Sequence, residues 1–310
     1  MYTITENVDL TPFNTFRVAA KADRMVIYDS PADLHSIFSP GSGLPLSPCI
    51  HIGGGSNLLF CGDYHGTVLF ARHRSHDFHP IDESTVRMTA EAGMTLDDAV
   101  KAAVAEGLWG LENLADIPGQ VGAAAVQNVG AYGVEFADIV ESVECFDTIE
   151  LTEIVFSAAE CGYGYRSSRF KEADKGRFIV TRVNLRLSSV PAPVLTYGPL
   201  RDLPADVSPA EVERVVRSVR GSKLPAVSEK GSAGSFFKNP VVDAPTYRRA
   251  CEMSCLEPAG YPAPDGSVKV SAAWLIDHAG MKGAVFGGAA TWPSQPLVIV
   301  NMTGDASAAD

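Results

Sequence analysis

The sequence predicts a mixed α+β protein of about two domains, and three observations carry that expectation. Strand-like runs and helices of period 3.6 both occur along the chain, and neither dominates. The length of 310 residues corresponds to roughly two domains of ordinary size. A proline-rich stretch, SSVPAPVLTYGPL at 188–200, interrupts the pattern and marks a boundary, so the chain divides into residues 1–190 and 191–310.

The elements follow in order. The apolar, β-prone run from Arg24 to Tyr28 reads as a strand, and Pro31 opens a short helical pattern through Phe38. CIHIGGGSNLLF (49–60) reads as a strand, a glycine turn and an apolar segment, while GTVLFAR and STVRMTAEAG read as strands. Thr95 caps a helix whose apolar stripe is Leu96, Ala99, Val100, Ala103 and Val104, and Gly107 stops it. From Gly110 to Gly133 the periodicity dissolves. That stretch is too apolar for a solvated loop and too rich in glycine for a long helix, so it is expected to lie against something that satisfies its backbone. Strands are expected at 138–148, 151–156 and 177–188. Ser208, Pro209 and Glu211 spell a capping box for a helix at 209–220, with Val212, Val215, Val216 and Val219 on its buried face. A third clear helix spans 271–279, PLVIVN (296–301) is a strand, and GDASAAD reads as a loop and the start of an unfinished helix.

Composition narrows the function. With 46% hydrophobic and 20% charged residues the chain is of ordinary globular type. Its formal charge of −12 argues against a nucleic-acid coat, which needs a basic surface. The N-terminus has no basic or apolar signal region, and no apolar run approaches a membrane span, so a cytoplasmic protein without membrane insertion is expected. Cys49, Cys61, Cys145, Cys161, Cys251 and Cys255 form no CxxC pair; they read as free thiols, with no metal site.

Several residues stand out as carriers of chemistry. Gly53, Gly54, Gly55, Ser56 and Asn57 follow a strand and offer consecutive N–H groups, either as a tight turn or as an anion nest for a pyrophosphate. Arg166, among the aromatics of CGYGYRSSRF, is either a surface residue with a packed stem or a carboxylate clamp. Arg220, Lys223 and Lys238 add cations toward the second domain. Ser235, in GSAGSFFKNP (231–240), follows Ala233 and Gly234 and precedes two phenylalanines, which suggest a wall that excludes water. No GxSxG elbow surrounds it, so donation of a proton suits it better than nucleophilic attack. His278 reads as a packed core residue.

Taken in order, NTFRV (14–18), HIGGGSNLLF (51–60), GLENLADIPGQVGAAAVQNVGAYGVE (110–135), YGYRSSRFK (163–171), LTYGPL (195–200), SKLP (222–225), GSAGSFFKNP (231–240) and AAWLIDHAGMKG (272–283) resemble the UDP-N-acetylenolpyruvoylglucosamine reductase (MurB) family, over nearly the whole chain, in the form that carries a tyrosine loop. The resemblance implies a two-lobed FAD-binding domain of the vanillyl-alcohol-oxidase type at 1–190 and a smaller α+β domain for a UDP-sugar at 191–310. It implies FAD as cofactor, NADPH as co-substrate, reduction of UDP-N-acetylglucosamine enolpyruvate to UDP-N-acetylmuramate, and a monomer. By matching motifs, Arg166 and Ser235 are catalytic; Gly53 to Asn57 hold the FAD pyrophosphate; Ile117, Gly119, Gly122, Gln127 and Gly130 line the flavin; Tyr132, Tyr197, Arg220, Lys223 and Asn239 contact the UDP-sugar. A family glutamate on a later strand has no counterpart in these residues, and neither Glu252 nor Glu257 sits in a matching motif. The chain is therefore expected to be C-terminally incomplete. The rival expectations are another flavin oxidoreductase of the same cofactor fold, or a protein that binds flavin and UDP-sugar without turnover.

Overall fold

The computed structural model describes every residue except Cys255 and Glu257. Helices and sheets are mixed as expected, with six α-helices among the described residues: α1 (Pro31–Phe38), α2 (Leu96–Ala105), α3 (Val121–Gln127), α4 (Pro209–Lys223), α5 (Ala244–Ser254) and α6 (Ala272–His278). The chain forms two compact units, but not by a cut at 190. The first comprises Met1–Leu10, Lys21–Gly55 and Asp63–Arg220; the second comprises Thr11–Ala20, Ser56–Gly62 and Gly221–Asp310. The expected boundary fails for a packing reason. Leu200, Val207, Val212 and Val216 are buried in the same apolar core as α2 and α3, so the segment beyond the prolines completes the first unit.

Two sheets build the first unit. The smaller runs in the order Thr3–Asp9, Lys21–Tyr28, Tyr64–Ala71, Cys49–Ile52; its last three strands are parallel. The larger is antiparallel, in the order Thr152–Ser157, Val140–Asp147, Phe178–Ser188, Thr85–Glu91, His76–Pro80. Two cores form, and the one under α1 also takes Phe146 and Ile179 from the larger sheet. Leu34 and Ile37 of α1 cover Val26 and Leu69, while the α2 stripe of Leu96, Ala99, Val100 and Ala103 packs with Met88, Val183 and Leu185. Full burial of each large aliphatic side chain contributes about 1.5–3 kcal/mol.

Local signals act as the chemistry requires. Thr95 accepts from the Asp98 N–H at the start of α2, and Gly107 takes a positive φ of 70° beyond its end. At α4 half of the capping box forms. Ser208 Oγ accepts from Glu211 N at 3.3 Å, but the Glu211 carboxylate turns to Arg214 at 2.6 Å.

In the second unit, strands Gly231–Ser235, Gln295–Asn301, Ala289–Trp292 and Val285–Phe286 form one sheet, and Val241–Val242, Val268–Val270 and Gly260–Pro262 another. The last residues are a turn rather than a helix start. The Asp310 carboxylate accepts from Ser307 N at 2.8 Å and from Gly288 N at 3.0 Å, which folds the segment back onto the sheet. His278 is exposed instead of packed in a core; its ring stacks on Trp274 at 3.6 Å.

Candidate functional site

In the first unit the two glycine-rich segments meet. The strand Cys49–Ile52 delivers Gly53 and Gly54 against the turn that opens α3. A Cβ on Gly53 would lie 2.9 Å from Ala123 Cβ, and one on Gly54 would lie 3.2 Å from Gly119 Cα. Gly55 (φ 65°) and Gly119 (φ 120°) adopt conformations that L side chains rarely take. The α3 turn is fixed from behind: Gly119 O accepts from Leu96 N at 2.9 Å, and Gly122 N donates to Ala92 O at 3.0 Å. Gly122 is buried, and a Cβ there would meet Ala92 Cβ at 2.8 Å, so packing alone already demands a glycine at that position. The result is a cradle of backbone with side chains excluded, which suits a pyrophosphate and the edge of a planar ring system, and the segments expected to hold FAD therefore fit that group. Ile117 packs half-buried on the neighbouring core.

Arg166 sits at the far end of the same glycine-rich stretch. Its own backbone is left-handed (φ 55°). Its guanidinium donates to Gly130 O at 2.6 Å and to Asn128 O at 3.3 Å, and lies 3.6 Å from Glu135 Oε1. Lys171 Nζ ties the Arg166 carbonyl (3.0 Å) to Gln127 Oε1 (3.3 Å). Arg166, Gly130 and Gln127 thus form one polar cluster, and the guanidinium is three-quarters buried instead of lying on the surface.

A third group gathers Tyr132, Tyr197 and Arg220. The two tyrosine rings meet edge to face at 5.7 Å, and the Arg220 charge acts on the Tyr132 hydroxyl. Burial raises the Tyr132 hydroxyl above its ordinary range, with the Arg220 charge opposing it. Burial also lowers Arg220 from its usual value, though a guanidinium remains charged.

In the second unit Ser235 ends a strand and pairs with Val298 across a bulge. Here the glycines have separate duties. Gly231 permits a close approach, since a Cβ would collide with Phe16 O at 2.1 Å; Gly234 has open space around it and serves its positive φ of 67°. Gly234 thus serves the bulge turn beside Ser235 instead of a close contact. Phe236 and Phe237, half exposed, line an apolar cavity of about 350 Å³ with Phe16, Ile276, Phe286 and Ile299. Asn239 Oδ1 accepts from Ala272 N at 3.0 Å, fixing the start of α6. Ser56 and Asn57 lie on the second unit's 56–62 segment, and Lys223 is exposed at the last residue of α4.

Sequence reading missed the residues that hold these groups. Asn128, fully buried and left-handed at the end of α3, donates to Glu135 and to Gly164 O at 2.9 Å each; an asparagine before Val-Gly after a short apolar run was a C-cap signal. Asn113, also fully buried, donates to Tyr132 O (2.8 Å) and Val194 O (2.9 Å), joining the two tyrosine-bearing loops.

Residues 226–310 match the model of the UDP-N-acetylenolpyruvoylglucosamine reductase C-terminal domain, and residues 45–149 match that of an FAD binding domain. A UDP-N-acetylenolpyruvoylglucosamine reductase of Neisseria meningitidis is 41% identical over all of this chain and 90% of its own length. One from Vibrio cholerae is 41% identical over 97% of this chain and 86% of its own length. The solved UDP-N-acetylenolpyruvylglucosamine reductase (MurB) of Thermus caldophilus superposes with a TM-score of 0.67 at 26% identity, covering all of this chain and 92% of that one. With relatives this similar along its whole length, and both glycine segments built into one cradle, the chain belongs to the UDP-N-acetylenolpyruvoylglucosamine reductase (MurB) family.

Proposed function

We propose that this protein catalyses the FAD-dependent, NADPH-consuming reduction of UDP-N-acetylglucosamine enolpyruvate to UDP-N-acetylmuramate, a cytoplasmic step in the supply of peptidoglycan precursors that serves cell shape and division. The observation that carries the reading is the glycine cradle with Arg166 held at its end, in a chain whose relatives bear that activity in their names. Bound FAD, once reduced by NADPH, supplies a hydride for the methylene carbon of the enolpyruvyl group.

The protein residues have defined tasks. Gly53 to Asn57 hold the pyrophosphate of the cofactor with backbone N–H groups; Ile117, Gly119, Gly122, Gln127 and Gly130 enclose its ring. Tyr132, Tyr197, Arg220, Lys223 and Asn239 hold the UDP-sugar. As a hydride reaches the methylene carbon, the electron pair of the double bond moves to the carbon bearing the carboxylate and delocalises into it. Arg166 is oriented by two backbone carbonyls, so its charge is fixed before that dianion forms. Such preorganised charge contributes several kcal/mol in a site that excludes water. Ser235 then gives its hydroxyl proton to the carbanionic carbon and recovers one from solvent. A serine is a weak acid, but the carbanion is strongly basic and the bulge holds the donor in place.

Anaerobic stopped-flow spectroscopy tests the reading. NADPH is expected to bleach the flavin absorbance, and the enolpyruvyl sugar to restore it with formation of UDP-N-acetylmuramate. Bleaching by NADPH without reoxidation by the sugar would leave a binding protein; reoxidation of the flavin by that sugar and not by alcohol or sugar substrates separates it from other flavin oxidoreductases.

A further inference from the structure

The network around Asp97 has no task in the reading above, yet it is aimed at one of its residues. Asp97 opens α2. Its Oδ1 accepts from Asp116 N at 2.8 Å and from Arg217 Nη2 at 2.6 Å, and its Oδ2 accepts from Lys101 at 2.8 Å. Asp116 is left-handed (φ 60°), a conformation that costs about 1 kcal/mol or more for a residue with a side chain. Asp97 stabilises it by taking the N–H on one side of the Asp116 Cα, and the left-handed turn there presents the Asp116 carbonyl oxygen, on the other side, to Arg220 Nε at 3.2 Å.

We infer that Asp97 is a positioning residue for Arg220, acting through the backbone turn at Asp116, and thereby sets affinity for the diphosphate of the sugar nucleotide. This rests on the proposed function. The two arginines of α4 are treated differently. Arg217 donates to both Asp97 and Glu213 (2.7 Å) and is committed within the protein. Arg220 is gripped at Nε by the Asp116 carbonyl (3.2 Å) and carboxylate (3.6 Å), with its side chain 13% exposed, and both contacts fall on Nε instead of on the two terminal nitrogens. A guanidinium held this way loses less freedom on accepting a phosphate. Arg217, Lys101 and the Asp116 N–H occupy the Asp97 carboxylate; although burial works to raise its carboxyl, these partners hold it below its ordinary range.

The test compares Asp97→Ala, Asp97→Asn and Arg220→Ala in the FAD-loaded enzyme. Asp97→Ala is expected to raise KM for UDP-N-acetylglucosamine enolpyruvate about tenfold, the effect of one lost hydrogen bond to a charged group. The turnover number and the rate of flavin reduction at saturating NADPH should change less than about twofold. Asp97→Asn should recover most of the loss, since its side-chain oxygen still accepts from Asp116 N. An unchanged KM in Asp97→Ala beside a raised KM in Arg220→Ala overturns the inference and leaves the proposed function standing. So does an Asp97→Asn variant as impaired as Asp97→Ala with a matching fall in Tm, which would mark a purely structural charge. An unchanged KM in Arg220→Ala removes Arg220 from the binding set, and the inference with it. A wild-type enzyme that neither binds nor turns over the sugar nucleotide overturns the proposed function and this inference together.

Discussion

Arg166 donates to the carbonyl oxygen of Gly130 at 2.6 Å, across 36 residues of sequence. Two left-handed residues frame the contact, Asn128 at the end of α3 (φ 48°), whose carbonyl Arg166 also reaches at 3.3 Å, and Arg166 itself (φ 55°). The guanidinium thereby reaches both carbonyls, Gly130 O with Nη2 and Asn128 O with Nη1. Glu135, 3.6 Å away, balances the charge, and an incoming carboxylate would take over that role.

Replacement of Arg166 by lysine tests whether geometry or charge matters. Lysine keeps the charge but cannot reach Gly130 and Asn128 and a carboxylate together. Arg166→Lys should slow reoxidation of reduced flavin by the enolpyruvyl sugar by about 100-fold or more, with flavin reduction by NADPH little changed. Equal slowing of both half-reactions would show that the arginine supports the flavin pocket instead of the anion.

Ser235 calls for a different split. Ser235→Ala removes the hydroxyl but not the bulge, which Gly234 sets. Flavin reduction should stay nearly intact, while turnover falls by roughly 10²- to 10⁴-fold, the usual worth of a positioned acid. Rapid-quench analysis of the two half-reactions checks this. Parallel loss in both, with a lower Tm, would make the serine structural.

How much of this was legible in the sequence depended on whether the signal was local. The α2 stripe and its Thr95 cap are spelled out within eleven consecutive residues, and they formed as spelled. The strand Thr3–Asp9 was missed because it is exposed almost throughout, so no inside–outside alternation marks it, and Asn7 breaks it with a positive φ. Helix α5 contributes no buried side chain and therefore shows no apolar stripe. The glycine turn at 53–55 was legible, but not its partner, since the contact with Gly119 joins segments more than 60 residues apart. The 1–190 boundary failed because prolines report a break in secondary structure, whereas membership of a unit is decided by burial: Val212 and Val216 belong to the core of α2.

His51 gives a prediction in pH. Its ring, bonded to the Tyr28 hydroxyl at 2.9 Å, is pushed by burial down to about 4 from an ordinary 6.5. The folded state thus favours the neutral ring. That preference is fully present above pH 6.5 and is lost as pH falls through 4. The ring keeps part of its surface exposed, which softens the effect to about 1–3 kcal/mol. Denaturation curves for wild type should weaken by that amount over the window, and those for His51→Gln should not. Parallel curves for the two would rule the ring out as the cause.

The cradle itself yields the last expectation. A methyl on Gly54 would stand 3.2 Å from Gly119 Cα, which is backbone and cannot rotate away. The two turns must therefore separate by a few tenths of an ångström. Overpacking of this kind costs about 1–3 kcal/mol, and here it falls on the segments proposed to hold FAD. Gly54→Ala should purify with less bound flavin, read as a lower ratio of absorbance at the flavin band to that at the protein band. Added FAD should restore part of the colour and raise Tm, because ligand binding shifts the folding equilibrium by mass action. Gly41→Ala is the control: Gly41 has nothing within 4 Å of a built Cβ, and its backbone lies outside the positive-φ region that strains an L side chain. That variant should retain flavin as wild type does. If Gly54→Ala keeps its full complement of FAD while its Tm falls, the close approach of the two glycine turns serves folding alone, and the cofactor must be held elsewhere.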